Sequence, residues 1–519
     1  MKSVEFHPDA QDELISAAQF YEKQTDGLGL DFIQTVQRTY ERLLRFPDSG
    51  RLFGRQLRRL LIPKFPYGLL YRVEPERIYI GGDAPSPPPG LLAVTGLSKA
   101  AHGRILPAMG EPTRAWPADT LARVPFWVYQ DEANYRAELR RIFEGPTWSF
   151  VCLESDVAKP GEFRTTFVGE MPVIVVRGQD GGVHAFENRC AHRGALIALD
   201  DAGSVKNAFQ CVYHAWSYDL RGNLIGIAFE KGSNGRGGMP ADFCKADHGP
   251  RKLRTTTLCG LVFATLAPET PPIEEYLGAE ILGRVRRVMS KPVQVLGRFT
   301  QGLPNNWKLY VENVKDTYHA SLLHAFFGTF RITRLTQGGG VLVSPDGAHH
   351  ASYTIGVPED AKSAAYREQG IRSELDGFRL ADARLLDSVD EFNDRIQLQI
   401  LTVFPNLVIQ QVQNSLAVRQ IVPTGVASME LHWTYIGFAD DDAEMRQRRL
   451  RQANLVGPAG YVSMEDGCVG GFVQRGAAAA GDEVSVVNMG GEGTESMDTR
   501  ATEASVRGFW KAYRRHMGY

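Results

Sequence analysis

Two short runs hold the residues best able to do chemistry. One is Cys190-Ala-His192 together with Cys211-Val-Tyr-His214. The other, about a hundred residues further on, is Glu312-Asn313-Val-Lys-Asp316-Thr-Tyr-His319-Ala-Ser-Leu-Leu-His324. Two thiolates and two imidazoles, one of each from each loop, form the ligand set of a 2Fe-2S cluster with sulfur on one iron and nitrogen on the other. Cys190 and Cys211 then take the inner iron, and His192 and His214 the outer. Imidazole ligation raises the potential above that of an all-thiolate cluster, so a flavin or ferredoxin can reduce it. A structural zinc site with two Cys and two His is the alternative; the Cys-x-His element speaks against it, because zinc ribbons usually open with two cysteines close together. Gly194 allows a tight turn beside the cluster, and Trp216 is placed to keep water away.

The second run offers two imidazoles beside carboxylates, which suits an oxygen-activating mononuclear iron(II) site. His319 and His324 are five residues apart, so on an ideal helix they diverge by about 140°. Facing one iron requires the helix to distort, or the second His to come from a frayed end. Asp316, three residues before His319 on the same face, can fix the orientation of an imidazole. The third ligand should be a carboxylate far along the chain. Asp466, in Gly457-Pro-Ala-Gly-Tyr-Val-Ser-Met-Glu-Asp466-Gly, is the first candidate and Glu465 the alternative.

These residues need elements to hold them. From Trp148 to Leu266 short strands are punctuated by Gly and Pro: Phe163–Val168, Val173–Arg177, Val183–Glu187, Ala208–Gln210 and Leu258–Ala264, an all-β module. Asp131–Phe143 before it reads as helix. From about 271 helices at Ile273, Ala279–Met289, Leu309–Phe326, Ala443–Leu455 and Ser505–His516 alternate with strands Val341–Ser344, His350–Ile355, Gln397–Val403, Leu407–Asn414, Leu416–Val422 and Glu430–Gly437. That pattern implies an antiparallel sheet with helices packed on it. The whole is an α+β multidomain chain, divided as 1–82, a Pro-rich linker 83–122, 123–270 and 271–519.

Residues 1–82 stand apart. Helical periodicity from His7 and over Gly29–Phe46 is followed by strand-like Gln56–Ile62, Tyr67–Val73 and Arg77–Ile80. Arg51, Arg55, Arg58, Arg59 and Lys64 run without an acidic residue among them; they make either a basic face for an acidic or nucleic-acid partner or a charged guard on a strand edge. Ala84-Pro-Ser-Pro-Pro-Pro-Gly90 favours extended conformations. Met109 is where the second part is expected to begin, the first hundred residues being a fusion or a misassigned start.

Bulk properties narrow the class. The 519 residues carry a net charge of −2 with 43% hydrophobic content, which gives no reason to expect nucleic acid or an anionic membrane as partner. No apolar stretch approaches the roughly 18 residues of a membrane span, and charge comes too early for a secretory signal, so a cytoplasmic location is expected. The six cysteines are no disulfide framework; Cys152, Cys244, Cys259 and Cys468 read as small buried hydrophobes.

With those motifs in hand, residues 120–519 resemble the large (α) subunit of Rieske non-haem iron ring-hydroxylating oxygenases, and residues 1–82 resemble RelE/ParE-type toxins. The oxygenase resemblance implies a Rieske domain followed by a helix-grip catalytic domain. It also implies an NADH-dependent reductase, a small β subunit, and a ring of three large subunits in which Asp316 bridges His319 to His214 of the partner subunit. Asn313 falls at a position close to the iron. The runs Phe186–Leu199, Pro304–Tyr310, Ser463–Gly467 and Ser505–Tyr513 resemble most the branch acting on terephthalate. That branch gives a cis-dihydrodiol from O2 and a ring carrying two carboxylates, for which Arg419 and Arg500 are the indicated partners, since guanidinium forks match carboxylates. A relative acting on salicylate, anthranilate or benzoate is the alternative.

Overall fold

In a computed structural model of the protein, the described residues are 116, 117 and 119–519 apart from 357–365, 367, 372–378 and 458–460, together with those of 3–80 other than 8, 9, 12, 13, 16, 19–21, 23–26, 46, 48–50, 54–56, 63–67, 75 and 76. They fall into two units, 1–109 and 110–519.

In the first unit, Phe32, Val36 and Leu43 share one face of helix Leu28–Arg45. That face is buried with Leu69, Tyr71, Ile78 and Ile80 from the sheet. The sheet order is Ser3–Phe6, Arg77–Ile80, Gly68–Val73, Leu57–Leu61, Arg51–Phe53, with the first pair parallel. Ser3–Phe6 and Arg51–Phe53 were not foreseen; three or four residues are too few to display alternation. In the basic run, Arg55, Lys64 and the side chains of Arg51 and Arg59 lie outside the described residues, as do 83–115 with their Pro-rich stretch and Met109.

Trp116 and Ala122, assigned to the linker by composition, are instead buried. Trp116 is buried against Trp127, Trp510 and Tyr513, and Arg514 donates to the carbonyls of Pro117 and Thr120. The helix expected over Asp131–Phe143 is α-helical for Glu132–Glu138, capped by Asp131, and then widens into one π turn at Leu139–Phe143.

A seven-stranded antiparallel sheet carries the first pair of loops: Ala202–Ser204, Glu162–Val168, Met171–Arg177, Val183–Glu187, Lys252–Leu258, Leu261–Thr265, Ser149–Leu153. A three-stranded sheet, Ala208–Gln210, Ser217–Asp219 and Leu224–Gly226, lies beside it in sequence. The single strand expected over Leu258–Ala264 is wrong. Leu258 ends one strand and Leu261 opens the next, paired to each other across Cys259 and Gly260. Both turn residues have positive φ (52° and 77°), as a two-residue hairpin requires, and Cys259 in place of Asn or Asp hid the turn. Cys152 is buried as expected, but Cys259 is half-buried and Cys244 and Cys468 are exposed, so the apolar reading fails for those three.

The second sheet is antiparallel in the order Val293–Leu303, Ser428–Phe438, Ser415–Gly425, Leu407–Val412, Ile396–Val403, His350–Ile355, Gly339–Val343. Period-two alternation sends Leu407, Ile409, Leu416, Val418, Leu401 and Val403 to one face, where Ile281, Val285 and Val288 of helix Ala279–Val288 cover them. The other face shows Gln410, Val412, Arg419, Ile400, Leu398, Thr354 and Trp433 to a cavity. Being covered on both faces, these strands read as nearly continuous apolar runs, and Arg419 interrupts one of them. Helix Ala504–Met517 seats Gly508 where a Cβ would come 2.9 Å from Val343 Cγ1 and 3.1 Å from the Gly347 carbonyl oxygen, so only glycine lets it approach so closely.

Candidate active site and cluster loops

The helix expected over Leu309–Phe326 breaks twice, and the breaks build the site. Asn306 caps helix Trp307–Lys315 through Lys308 N–H. The helix stops at Asp316, whose backbone turns extended and whose Oδ1 accepts Tyr318 N–H at 2.7 Å. A short helix, Ala320–Leu323, follows; His324 is extended (ψ 92°), and Ala325–Thr329 starts a third. The 140° divergence of a straight helix is thereby removed, and the two rings lie 5.3 Å apart.

Asp466 arrives from helix Tyr461–Ala478. Gly467 and Gly470 let that helix lie close on Leu303 and Asn305; a Cβ there would stand 2.8 Å from Leu303 Cδ2 or 2.7 Å from Asn305 Oδ1. Asp466 Oδ1 is 3.5 Å from His319 Nε2 and 3.3 Å from His324 Nε2. The donor atoms of the three residues lie within 4.8 Å of one another. The opposite ring nitrogens are held by carboxylates: His319 Nδ1 by Asp316 Oδ2 at 3.1 Å and His324 Nδ1 by Glu465 Oε2 at 2.7 Å. Each such bond has Nδ1–H donating to its carboxylate and leaves Nε2 as the atom that faces Asp466. Glu465 therefore turns to the far side of His324, and Asp466 approaches both imidazoles. Asn313 Nδ2 donates to Asp466 Oδ1 at 3.1 Å. Glu312 points elsewhere, accepting from Tyr129 and Trp510, and burial lifts its carboxyl to about 7.

Electrostatics mark the same triad. Burial disfavours charge on His319, yet Asp316 and Asp466 overcome it and raise the imidazole to about 10. Burial also opposes charge on Asp466, and His324 and His319 outweigh it, holding the carboxyl far below its usual range. Without a metal the carboxylates draw protons onto the rings, and a divalent cation satisfies the same field. Two neutral nitrogens and one oxygen of this spacing fit a single iron(II).

Asn313, Asp316, His319, His324, Asp466, Arg419 and Arg500 all border one cavity, walled by Phe327, Leu398, Ile400, Val412 and Val456. Arg419 Nη1 donates to Tyr310 Oη at 2.7 Å and Nη2 to Gln410 Oε1, with the guanidinium 4.4 Å above Trp433. Arg500 donates to Thr333 Oγ1 and to the Arg334 carbonyl. Both are buried, the Nε of each has no partner, and no carboxylate pairs with either among the described residues. Burial pulls Arg500 down to about 10.

Cys190, His192, Cys211 and His214 lie on two other loops of one design. Cys190 N–H donates to the Ala195 carbonyl and Gly194 N–H to that of Cys190; Cys211 N–H donates to the Trp216 carbonyl and Ala215 N–H to that of Cys211. The fourth residue after each cysteine has positive φ, Gly194 at 79° and Ala215 at 53°. Both thiols are buried, both imidazoles are exposed, and the rings are 4.5 Å apart. Tyr218 Oη accepts from Ala191 N–H at 3.0 Å and lies 3.1 Å from Cys190 Sγ, free to donate to a thiolate. A donor set with sulfur inside and nitrogen outside fits a 2Fe-2S cluster.

Sequence reasoning missed Tyr218, Gln410 and Trp433. Tyr218 sits in a three-residue strand with no motif of its own, and Gln410 is one polar residue in an apolar strand.

The family profile described as Rieske 2Fe-2S domain matches residues 147–233, and that described as ring hydroxylating alpha subunit (catalytic domain) matches 283–519. The profile of the ParE toxin of type II toxin-antitoxin systems matches 4–81. Terephthalate 1,2-dioxygenase terminal oxygenase component subunit alpha 2 from Comamonas sp is 58% identical over 79% of this chain and 99% of its own length. The chain belongs to the ring-hydroxylating oxygenase α subunits. The anthranilate 1,2-dioxygenase large subunit of Burkholderia cepacia is 46% identical over 78% of this chain and 95% of its own. Naphthalene 1,2-dioxygenase from Rhodococcus sp. bound to indole superposes with a TM-score of 0.62 at 21% identity, covering 76% of this chain and 94% of that one, which shows the shared fold. As a member of this family the α subunit carries one Rieske cluster and one mononuclear iron. No described helix is long and apolar enough to cross a membrane.

Proposed function

We propose that the protein is the oxygenase component of a dioxygenase that converts terephthalate, O2, NADH and a proton to a cis-dihydrodiol and NAD+. The observation that carries this reading is the pair of buried, carboxylate-free guanidiniums in a cavity that also reaches the His319–His324–Asp466 triad. Arg419 stands on strand Ser415–Gly425. Arg500 holds Thr333, which is bonded to Thr354 on strand His350–Ile355. Three strand spacings separate those strands in the sheet, about 14 Å at the backbone. Cations on opposite sides suit a ring whose two anionic groups point in opposite directions, and the fork of each guanidinium has an Nε–H left to give.

In this reading His319, His324 and Asp466 hold the mononuclear iron, and Cys190, Cys211, His192 and His214 hold the cluster. The iron, when bound, supplies the binding and reduction of dioxygen. Arg419 and Arg500 fix the ring in one pose. Leu398, Ile400 and Val412 pack its faces and exclude water. Asn313 steadies Asp466, while Asp316, half-buried, keeps the His319 proton on Nδ1 and offers a carboxylate oxygen to His214 of the partner subunit in a trimer. A reductase fed by NADH, a small β subunit and a cytoplasmic location complete the proposal, with 123–270 as the cluster domain and 271–519 as the catalytic one.

The test is turnover by the reconstituted protein with reductase and NADH on terephthalate, benzoate, anthranilate and salicylate. Terephthalate should give the highest kcat/KM, with a dihydrodiol product. An equal or higher value for a monocarboxylate refutes the dicarboxylate reading.

A further inference from the structure

The two cluster imidazoles have unlike surroundings. His214 leans against His192 and against Tyr213, whose centroid is 3.9 Å away and whose ring is already exposed, so its aromatic contacts end within one ring among the described residues. His192 instead begins a series of rings. It lies flat on Trp216, centroids 4.8 Å apart and planes 9° apart. Trp216 meets Phe243 edge-on at 6.2 Å, and Phe243 stacks on His248 at 4.4 Å and 7°. Trp216 is buried, Phe243 half-buried and His248 exposed, so the series runs from His192, exposed on its cluster loop, through a buried ring to a second point on the surface.

A hydrophobic lid over the cluster would account for Trp216 and Phe243. It gives no reason for an exposed imidazole to lie coplanar on the outer ring. The outer rings are also held in place. Phe243 N–H donates to the Pro240 carbonyl at 3.0 Å, and Lys245, in the 3-10 turn that ends at His248, pairs with Glu230 at 2.9 Å. That ion pair ties the turn to the residue next to Phe229, an apolar ring that is 77% exposed.

We propose that His248, Phe243, Trp216 and His192 form the inlet for electrons, and that the electron-transfer domain of the NADH-dependent reductase docks over His248 and Phe229. Each transfer moves one electron from the reductase's reduced flavin or iron–sulfur group to the oxidised cluster. The donor is oxidised by one electron, the cluster reduced by one, and no bond or proton changes place. Two such transfers use up the pair supplied by one NADH. Every step of the series is a ring contact rather than a gap, and entry at His192 leaves His214 for onward delivery. The inference rests on the oxygenase reading above.

Stopped-flow mixing of the cluster-loaded protein with NADH-reduced reductase, following the cluster absorbance, is the test. Phe243→Leu and His248→Leu should each slow cluster reduction by about tenfold or more, equivalent to a barrier higher by about 1.4 kcal/mol; Phe243→Tyr, which keeps the ring, should not. Midpoint potential, cluster EPR signal and the rate of reduction by dithionite should stay at wild-type values in all three. A wild-type rate with reductase in either leucine variant overturns the proposal, as does a slowed rate accompanied by a shifted potential or slowed dithionite reduction, which would mean that the rings serve cluster structure. Should Phe243→Leu fail to load its cluster, the exposed His248→Leu decides alone. Failure of dithionite-reduced wild type to oxidise terephthalate would count against the substrate reading and leave the inlet standing.

Discussion

Replacing Arg500 with Gln gives the sharpest test of how the cavity chooses its substrate. The guanidinium is buried, borders the cavity, and has hydroxyl and carbonyl partners but no carboxylate among the described residues. A substrate carboxylate would complete a buried charge pair there. Truncating one side of such a pair costs about 2–5 kcal/mol, which at 1.36 kcal/mol per decade is about 30- to 5,000-fold in kcat/KM. The loss should fall on the dicarboxylate. Benzoate can place its one carboxylate at Arg419, held by Tyr310 and Gln410, so its kcat/KM should change far less. The assay is product formation from each acid at saturating O2 and reductase, with iron and sulfide content measured to show that the variant is loaded. Arg500→Lys keeps the charge without the fork and should recover part of the loss. Equal losses on terephthalate and benzoate would refute the reasoning, because they would make Arg500 a structural residue.

Three further outcomes follow from particular contacts. Tyr218→Phe removes a donor 3.1 Å from Cys190 Sγ; with about 1 kcal/mol of that bond specific to the more negative reduced cluster, the midpoint potential should drop by about 40 mV at 59 mV per decade, read by redox titration. Glu465→Ala frees His324 Nδ1 from its 2.7 Å partner and should weaken mononuclear iron binding about 10- to 100-fold with cluster content unchanged, measured by iron titration. Lys315, buried with one hydrogen bond to the Ala348 carbonyl, is pulled down to about 7 by burial. Its unfolded value is about 10.4, so between those values the unfolded chain binds more protons and stability rises with pH. Lys315→Met should therefore be more stable than wild type at pH 6, with the advantage shrinking toward pH 10 in thermal melts.

The candidate donor residues were legible in the chain because their spacing is local. Cys-x-His and Cys-x-x-His fix four donors within two loops, and the turn after each cysteine depends on a single residue, Gly194 or Ala215, in a left-handed conformation. Asp316 was assigned to His319 from three-residue helical spacing; the contact forms, although the helix ends at Asp316 and the turn after it, not a helix face, brings the two together. Apolar runs of strand length likewise revealed the sheet that carries Arg419. Short strands such as Ser3–Phe6 and the turn at Cys259-Gly260 were not legible, having too few residues or the wrong residue types to signal themselves.

Tertiary structure settled the choices that depend on distant chain. Sequence left Glu465 and Asp466 as alternatives, because adjacent residues on a helix point about 100° apart and only the partner surface tells which faces inward. Helix Tyr461–Ala478 lies on Leu303 and Asn305 through Gly467 and Gly470; that contact turns Asp466 to the imidazoles and Glu465 to the back of His324. The same glycines, poor helix formers, hid the helix from the sequence. Two interruptions flanking His319 and His324 brought rings together that a straight helix would splay. Residue types and short spacings are written along the chain, whereas the direction of a side chain relative to a group 153 residues away is fixed only when the elements pack.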